Sequence, residues 1–196
     1  MAITTEDIKT LREKTGISVM QCKKALEEAG GDMEKAVIIL TKKSGDIVAK
    51  KGGRDLGAGI VQSYIHAGGT VGTLVELNSE TDFVSKNEDF AKLAYDIAMH
   101  VAAQKPRFLS REDVKDEDVV KAREVFAEEV KDKPKDMQEK ILEGKLDAYL
   151  KERILLEQDF IKDPTKTIND LISEATQKFG EKIKVARYVC YTVLGE

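Results

Sequence analysis

At 196 residues, 41% of them hydrophobic, the chain is long enough for one or two domains and can build a core. No apolar run reaches the length a bilayer requires, which excludes a helical membrane protein. The net charge of −4 arises within residues 111–152, where 10 basic side chains face 14 acidic ones; the remainder is balanced. That distribution offers no basic footprint for nucleic acid, and a protein partner is the better expectation.

The first seven residues, Met1-Ala2-Ile3-Thr4-Thr5-Glu6-Asp7, carry neither signal-peptide nor transit-peptide patterning, so a cytoplasmic protein is expected. Cys22 and Cys190 stand at opposite ends of the chain, as suits a reducing compartment. With His66 and His100 the only histidines and no CxxC or HExxH spacing, neither a metal site nor any cofactor is expected.

Residues 1–45 read as three short helices. Thr4 caps the first, with Ile8 and Leu11 inward; Ser18 and Gln21 form a capping box for the second, with Val19, Cys22, Leu26 and Ala29 inward; Asp32 caps the third, with Ala36, Val37 and Leu40 inward. Gly16, Gly30-Gly31 and Gly45 separate or end these helices. A bundle this small has a thin core and is marginal alone. Residues 46–59 are basic and glycine-rich and read as a linker. Because Gly57 is followed by Ala58, the lysine of a phosphate-binding loop is missing.

Residues 60–78 predict a β-hairpin whose two β-rich runs flank Ala67-Gly68-Gly69-Thr70. The second run leads directly into Thr81-Asp82-Phe83-Val84, which sets a large aromatic among polar residues. From the residues alone, Phe83 is either a core residue at a helix start, with Ser85 and Glu88 as a capping box, or an aromatic presented outward. An amphipathic helix follows, with Phe90, Leu93, Ala94, Ile97, Ala98 and Val101 on one face. Pro106 lies beyond its end, and the helix should cover one face of the sheet.

Between about 113 and 153, two charged stretches flanking Lys131-Asp132-Lys133-Pro134 predict an antiparallel helical hairpin. Val119, Ala122, Phe126 and Val130 form one seam; Met137, Ile141, Ala148 and Tyr149, with Leu142 and Leu146 alongside, form the other. Residues 154–161 are strand-like. Thr167 caps a helix with Ile168, Leu171, Ile172, Ala175 and Phe179 inward, ended by Gly180. Residues 182–194 then alternate as a strand with two apolar faces: Ile183, Val185, Val189, Tyr191 and Val193 on one, Ala186, Tyr188, Cys190 and Leu194 on the other. One face packs on helices, and the other needs a second cover.

Two of these segments carry a resemblance. Glu76-Leu77-Asn78-Ser79-Glu80-Thr81-Asp82-Phe83-Val84-Ser85-Lys86, and Leu11 through Leu26 with its Thr15-Gly16-Ile17-Ser18-Val19-Met20-Gln21-Cys22-Lys23-Lys24 centre, resemble the two signatures of the bacterial elongation factor Ts family. The likeness continues through Ile97-Ala98-Met99-His100-Val101-Ala102 and Glu143-Gly144-Lys145, and so covers essentially the whole chain. Gln21 stands where relatives often carry an acidic residue, and Ser18 where they often carry glycine.

The resemblance implies an α+β fold: a three-helix bundle like ubiquitin-associated modules over 1–45, a linker over 46–59, and an α/β core over 60–196 with an antiparallel sheet packed on helices and a protruding helical hairpin. It implies a non-enzymatic guanine nucleotide exchange factor for elongation factor Tu, with Phe83 as the wedge that displaces Mg²⁺, Asp82 in polar contact with the same partner, Thr81 and Val84 setting the turn, and Lys23 and Lys24 docking the bundle. No internal duplication is visible, as in short family members that pair into homodimers and form 2:2 complexes, without direct contact to nucleic acid or membrane. The alternative is a ubiquitin-associated-type adaptor without exchange activity; the complete Thr81–Val84 motif argues against it.

Overall fold

The computed structural model describes residues 3–132 and 134–195, apart from the side chains of Asp136 and Leu194. The expectations for Met1, Ala2 and Lys133 lie outside the described residues, whereas the strand expected to run to residue 194 ends at Thr192 and gives way to a 3-10 turn, Val193–Gly195. The fold is α+β, with eight α-helices and two small sheets among the described residues. The chain divides into two compact units, one of Met1–Gln62, Glu76–Ala94 and Asp170–Ala186, the other of Ser63–Val75, Tyr95–Asn169 and Arg187–Glu196. No helix among the described residues is long and apolar enough to cross a membrane.

In the first unit, α1 (Thr5–Thr15), α2 (Val19–Glu28) and α3 (Met33–Lys51) enclose a core of Leu11, Ile17, Cys22, Ala25, Leu26, Ala36 and Leu40. All three expected N-caps are in place, but the capping box expected of Ser18 and Gln21 forms only through Ser18, the Gln21 side-chain oxygen accepting instead from the Gln177 amide. Thr4 and Asp7 form a reciprocal capping box, and Ser18 and Asp32 accept from the backbone N–H groups of Gln21 and Lys35. Gly16 ends α1 in the left-handed region, φ 68°. The thiol of Cys22 is a packed core group whose pKa is pushed up by burial.

Three details of the bundle differ from the sequence expectation. Val19 and Val37 are exposed, because the inward stripes are narrow and run through Cys22, Ala25 and Leu26 on α2 and through Ala36 and Leu40 on α3. Helix α3 also passes through Gly45 to Lys51, so what was expected as linker from residue 46 is helical for six residues more. Ser44 is buried one position before Gly45, its hydroxyl donating to the carbonyl of Thr41. A glycine with no positive φ weakens a helix without stopping it.

Strands β1 (Ala58–Ile65) and β2 (Val71–Ser79) form the expected hairpin, and β5 (Lys184–Thr192) completes a three-stranded sheet in the order β1-β2-β5. The turn closes through His66 N–H to Val71 O and Gly69 N–H to His66 O, both 2.9 Å, with Gly68 and Gly69 at φ 89° and 69°. Helix α5 (Glu88–Gln104) contributes Phe90 and Ala94 to the first unit, and Ile97, Ala98 and Val101 to the second, all fully buried. Within the second unit the Thr73 hydroxyl of β2 donates to the Ala98 carbonyl at 2.8 Å, which sets the helix against the strand as expected.

The second unit also holds α6 (Asp116–Glu129) and α7 (Lys135–Lys151), joined by a short connection. Ala122, Val130, Leu142 and Leu150 are buried between them and their surroundings, and Phe126 meets Tyr149 edge-on at 5.6 Å. Met137 and Ala148, expected in the seam, are exposed. The expected strand over 154–161 is instead a 3-10 turn, Leu155–Glu157, followed by a two-residue strand β3 (Asp159–Phe160) paired antiparallel with β4 (Asp163–Thr167). Ile154 and Leu155 are fully buried; their apolar run plugs the core as a turn, and short apolar runs do not by themselves distinguish the two.

Candidate functional site

Helix α4 (Asp82–Ser85) is a single turn that begins directly after β2. Val84 and Ser85 face inward, at 4% and 8% exposure, while the Phe83 side chain is 84% exposed, the highest value among the exposed large hydrophobic side chains. This settles the two readings of Phe83 in favour of outward presentation. The expected Ser85–Glu88 capping box does not form; Asn87 starts α5, its side-chain oxygen accepting from the Asp89 N–H at 2.9 Å.

The turn is held from behind by ionic and hydrogen-bonding groups distant in sequence. The Glu181 carboxylate accepts twice from one residue, from the Thr81 N–H at 3.0 Å and from the Thr81 hydroxyl at 2.6 Å. Its neighbour Lys182 donates its backbone N–H to Glu80, which also receives the Arg54 guanidinium at 2.8 Å. Burial raises the Glu80 carboxyl, but the Lys182 N–H and the charges of Arg54 and Lys51 outweigh it and hold the pKa below the ordinary glutamate range. The Ser79 hydroxyl donates to the Thr81 carbonyl at 2.9 Å. Gly59 lets β1 pass close to this region: a Cβ there would lie 2.7 Å from the Leu77 carbonyl oxygen.

Asp82 is exposed and pairs with Lys86 at 2.6 Å, one turn on; that hydrogen bond and charge hold its carboxyl below the usual range. An exposed pair of this kind is screened and contributes little to stability, so the carboxylate is available for exchange of partners. Lys23 and Lys24 lie on α2, a different element from the turn; both are exposed, and Lys23 makes only a 3.8 Å contact with Glu27. The bundle is tied to α8 (Ile168–Phe179) by the Gln177 amide donating to the Gln21 side-chain oxygen at 2.9 Å, and by the Lys178 side chain lying against Gly16.

Sequence reasoning found the exposed turn and missed Glu80, Glu181, Lys182 and Arg54. Among the described residues no group of three or more His, Cys, Asp or Glu side chains is placed to hold a metal ion.

A braced turn that presents one large aromatic to solvent has the form of a contact surface for another protein, the class of factor that acts by binding. The profile of the Elongation factor TS family matches residues 4–196. The chain is 49% identical over 193 residues to Elongation factor Ts of Thermotoga petrophila, covering 98% of this chain and 97% of the relative. It is 50% identical over 191 residues to that of Desulforamulus reducens, and 49% identical over 196 residues to that of Carboxydothermus hydrogenoformans, covering 88% and 90% of those relatives. The chain therefore belongs to the elongation factor Ts family, and is a guanine nucleotide exchange factor for elongation factor Tu in translation elongation. The adaptor alternative finds no support, since the match runs through the whole chain.

Proposed function

We propose that this chain releases GDP from elongation factor Tu by inserting Phe83 into the partner, where it moves the groups that hold Mg²⁺ and phosphate. The observation that carries this is an aromatic side chain 84% exposed at the head of a braced turn. Leaving an aromatic in water costs apolar burial free energy that a partner pocket recovers, and such a side chain contributes a few kcal/mol as a binding hot spot. An octahedral Mg²⁺ shell tolerates little distortion, so a wedge of this size suffices to weaken it. By linkage, the factor and GDP then lower each other's affinity for the partner by the same ratio.

Asp82 makes polar contacts with the same partner segment, while Thr81 and Val84 fix the turn. The three-helix bundle, of ubiquitin-associated type, docks through Lys23 and Lys24. The protein acts in the cytoplasm without a cofactor, forms no bond-breaking site of its own and binds neither nucleic acid nor membrane. It works as a homodimer in a 2:2 complex, a reading supported by the open apolar face formed in the second unit by Ile65, Leu74, Tyr191 and Val193, which are 45–70% exposed.

The test is stopped-flow release of a fluorescent GDP analogue from elongation factor Tu. Phe83→Ala is expected to lower the accelerated rate by roughly ten- to a hundredfold, the range of a lost hot-spot aromatic, with an unchanged circular dichroism spectrum. A folded Phe83→Ala protein that exchanges like the wild type would remove Phe83 from the mechanism.

A further inference from the structure

We infer that Glu181 is a positioning residue for nucleotide exchange, fixing the Thr81–Ser85 turn so that Phe83 is presented in one direction. This rests on the wedge reading of Phe83. With 84% of its surface in solvent, Phe83 has little packing to aim it, and its direction follows from the backbone of α4. That backbone is one helical turn, closed by Ser85 N–H to Thr81 O at 3.3 Å and Lys86 N–H to Asp82 O at 3.1 Å. An isolated turn of this length does not persist in water, because nucleating a helix fixes several dihedral angles for each bond gained.

The missing order comes from residues 181 and 182. Thr81 stands at the N-cap of α4, yet its side chain makes no cap hydrogen bond; the hydroxyl and the N–H both go to the two oxygens of Glu181. The next residues repeat the arrangement with roles exchanged, the Lys182 N–H donating to the carboxylate of Glu80. Residues 80–81 and 181–182 thus grip one another reciprocally, each segment supplying one carboxylate and one backbone N–H. The Glu181 segment is itself anchored. Gly180 ends α8 at φ 70°, its N–H bonded to Thr176 O, and its carbonyl accepts from the Lys51 ammonium. The Lys182 ammonium donates to the carbonyls of Gly52 and Arg54 at 2.6 and 2.8 Å. A wedge held this way enters its partner without first losing conformational freedom, which is the gain from preorganisation.

The consequence is kinetic. Removing Glu181 leaves the docking surfaces of the bundle in place and loosens only the wedge, so the maximal rate of GDP release falls while the concentration of factor giving half that rate changes little. The experiment is GDP release titrated with the full-length factor as wild type, Glu181→Ala and Glu181→Gln, each with and without Phe83→Ala, together with amide hydrogen exchange at Thr81. The expected results are a maximal rate lowered roughly tenfold by Glu181→Ala, as misplacement of a working group commonly produces, and a half-saturating concentration within about twofold of wild type. Glu181→Gln, which keeps one acceptor oxygen, falls between. In the Phe83→Ala background Glu181→Ala causes no further loss, since the two residues act as a unit.

A folded Glu181→Ala with the wild-type maximal rate overturns the role of Glu181, as does a loss that multiplies with that of Phe83→Ala. If Glu181→Ala does not fold, the isosteric Glu181→Gln decides: faster exchange of the Thr81 amide without a lower maximal rate overturns the proposal. Wild-type exchange by Phe83→Ala is a separate result that sinks the wedge and this role together.

Discussion

His100 is fully buried in the second unit, and its hydrogen bonding fixes its tautomer. The Gln158 amide nitrogen donates to the Glu152 carbonyl at 2.7 Å, so the Gln158 oxygen, 3.0 Å from His100 Nε2, accepts from an Nε2–H. Nδ1 is then a lone pair with no hydrogen-bond partner among the described residues. Burial holds the pKa below the ordinary histidine value of 6.5, with the Gln158 hydrogen bond opposing. As pH falls below 6.5 the unfolded chain takes up a proton that the folded chain does not, so folding loses stability, by at most about 1.4 kcal/mol per pH unit from this group. His100→Gln retains a donor toward Gln158 and removes the titration. Urea unfolding between pH 7 and 5.5 is expected to show a shallower decline for this variant than for wild type; parallel declines would mean that His100 is protonated in the fold.

Among the elements, α3 shows most clearly how far local signals reach. Gly45 lies in its interior, exposed, without a positive φ and with open space around the position of an added Cβ. Gly45→Ala is therefore expected to stabilise the protein by roughly 0.5–1 kcal/mol, the propensity difference in a helix interior. A rise in the thermal unfolding midpoint checks it, and no gain would place residue 45 outside the helix in solution. The same glycine explains a misreading. Caps at Thr4, Ser18 and Asp32 are legible because their chemistry is complete within four residues, whereas Gly45 as a helix end could be judged only against the whole helix. The apolar run at Ile154 and Leu155 predicts a strand but forms a turn, because burial, which the sequence does show, does not reveal whether the backbone is paired. The exposed turn was legible because its motif is contiguous. Its brace was not: Glu181 is one of 36 acidic residues and lies 100 positions from Thr81, and no spacing rule connects them.

On the scale of the whole molecule, charge and apolar surface give separate messages. The net charge of −4 is small for a chain of 196 residues and disfavours non-specific attraction to polyanions. The apolar residues Ile65, Leu74, Tyr191 and Val193 line an open groove of about 450 Å³ in the second unit. On β2, which carries Leu74, the other face is already buried through Thr73 and Val75. Exposed large side chains grouped in this way mark an interaction surface, and a twofold axis lets one such surface cover itself on a second copy. Tyr191, 70% exposed, supplies the largest side chain of the set. Placing a charge there, as in Tyr191→Lys, would bury two like charges across a symmetric interface, which disfavours association strongly. Light scattering coupled to size exclusion is expected to give twice the chain mass for wild type and a single chain mass for Tyr191→Lys at micromolar concentration. A wild-type protein of single chain mass would leave this face to another partner, and a variant that still pairs would move the dimer contact elsewhere on the surface.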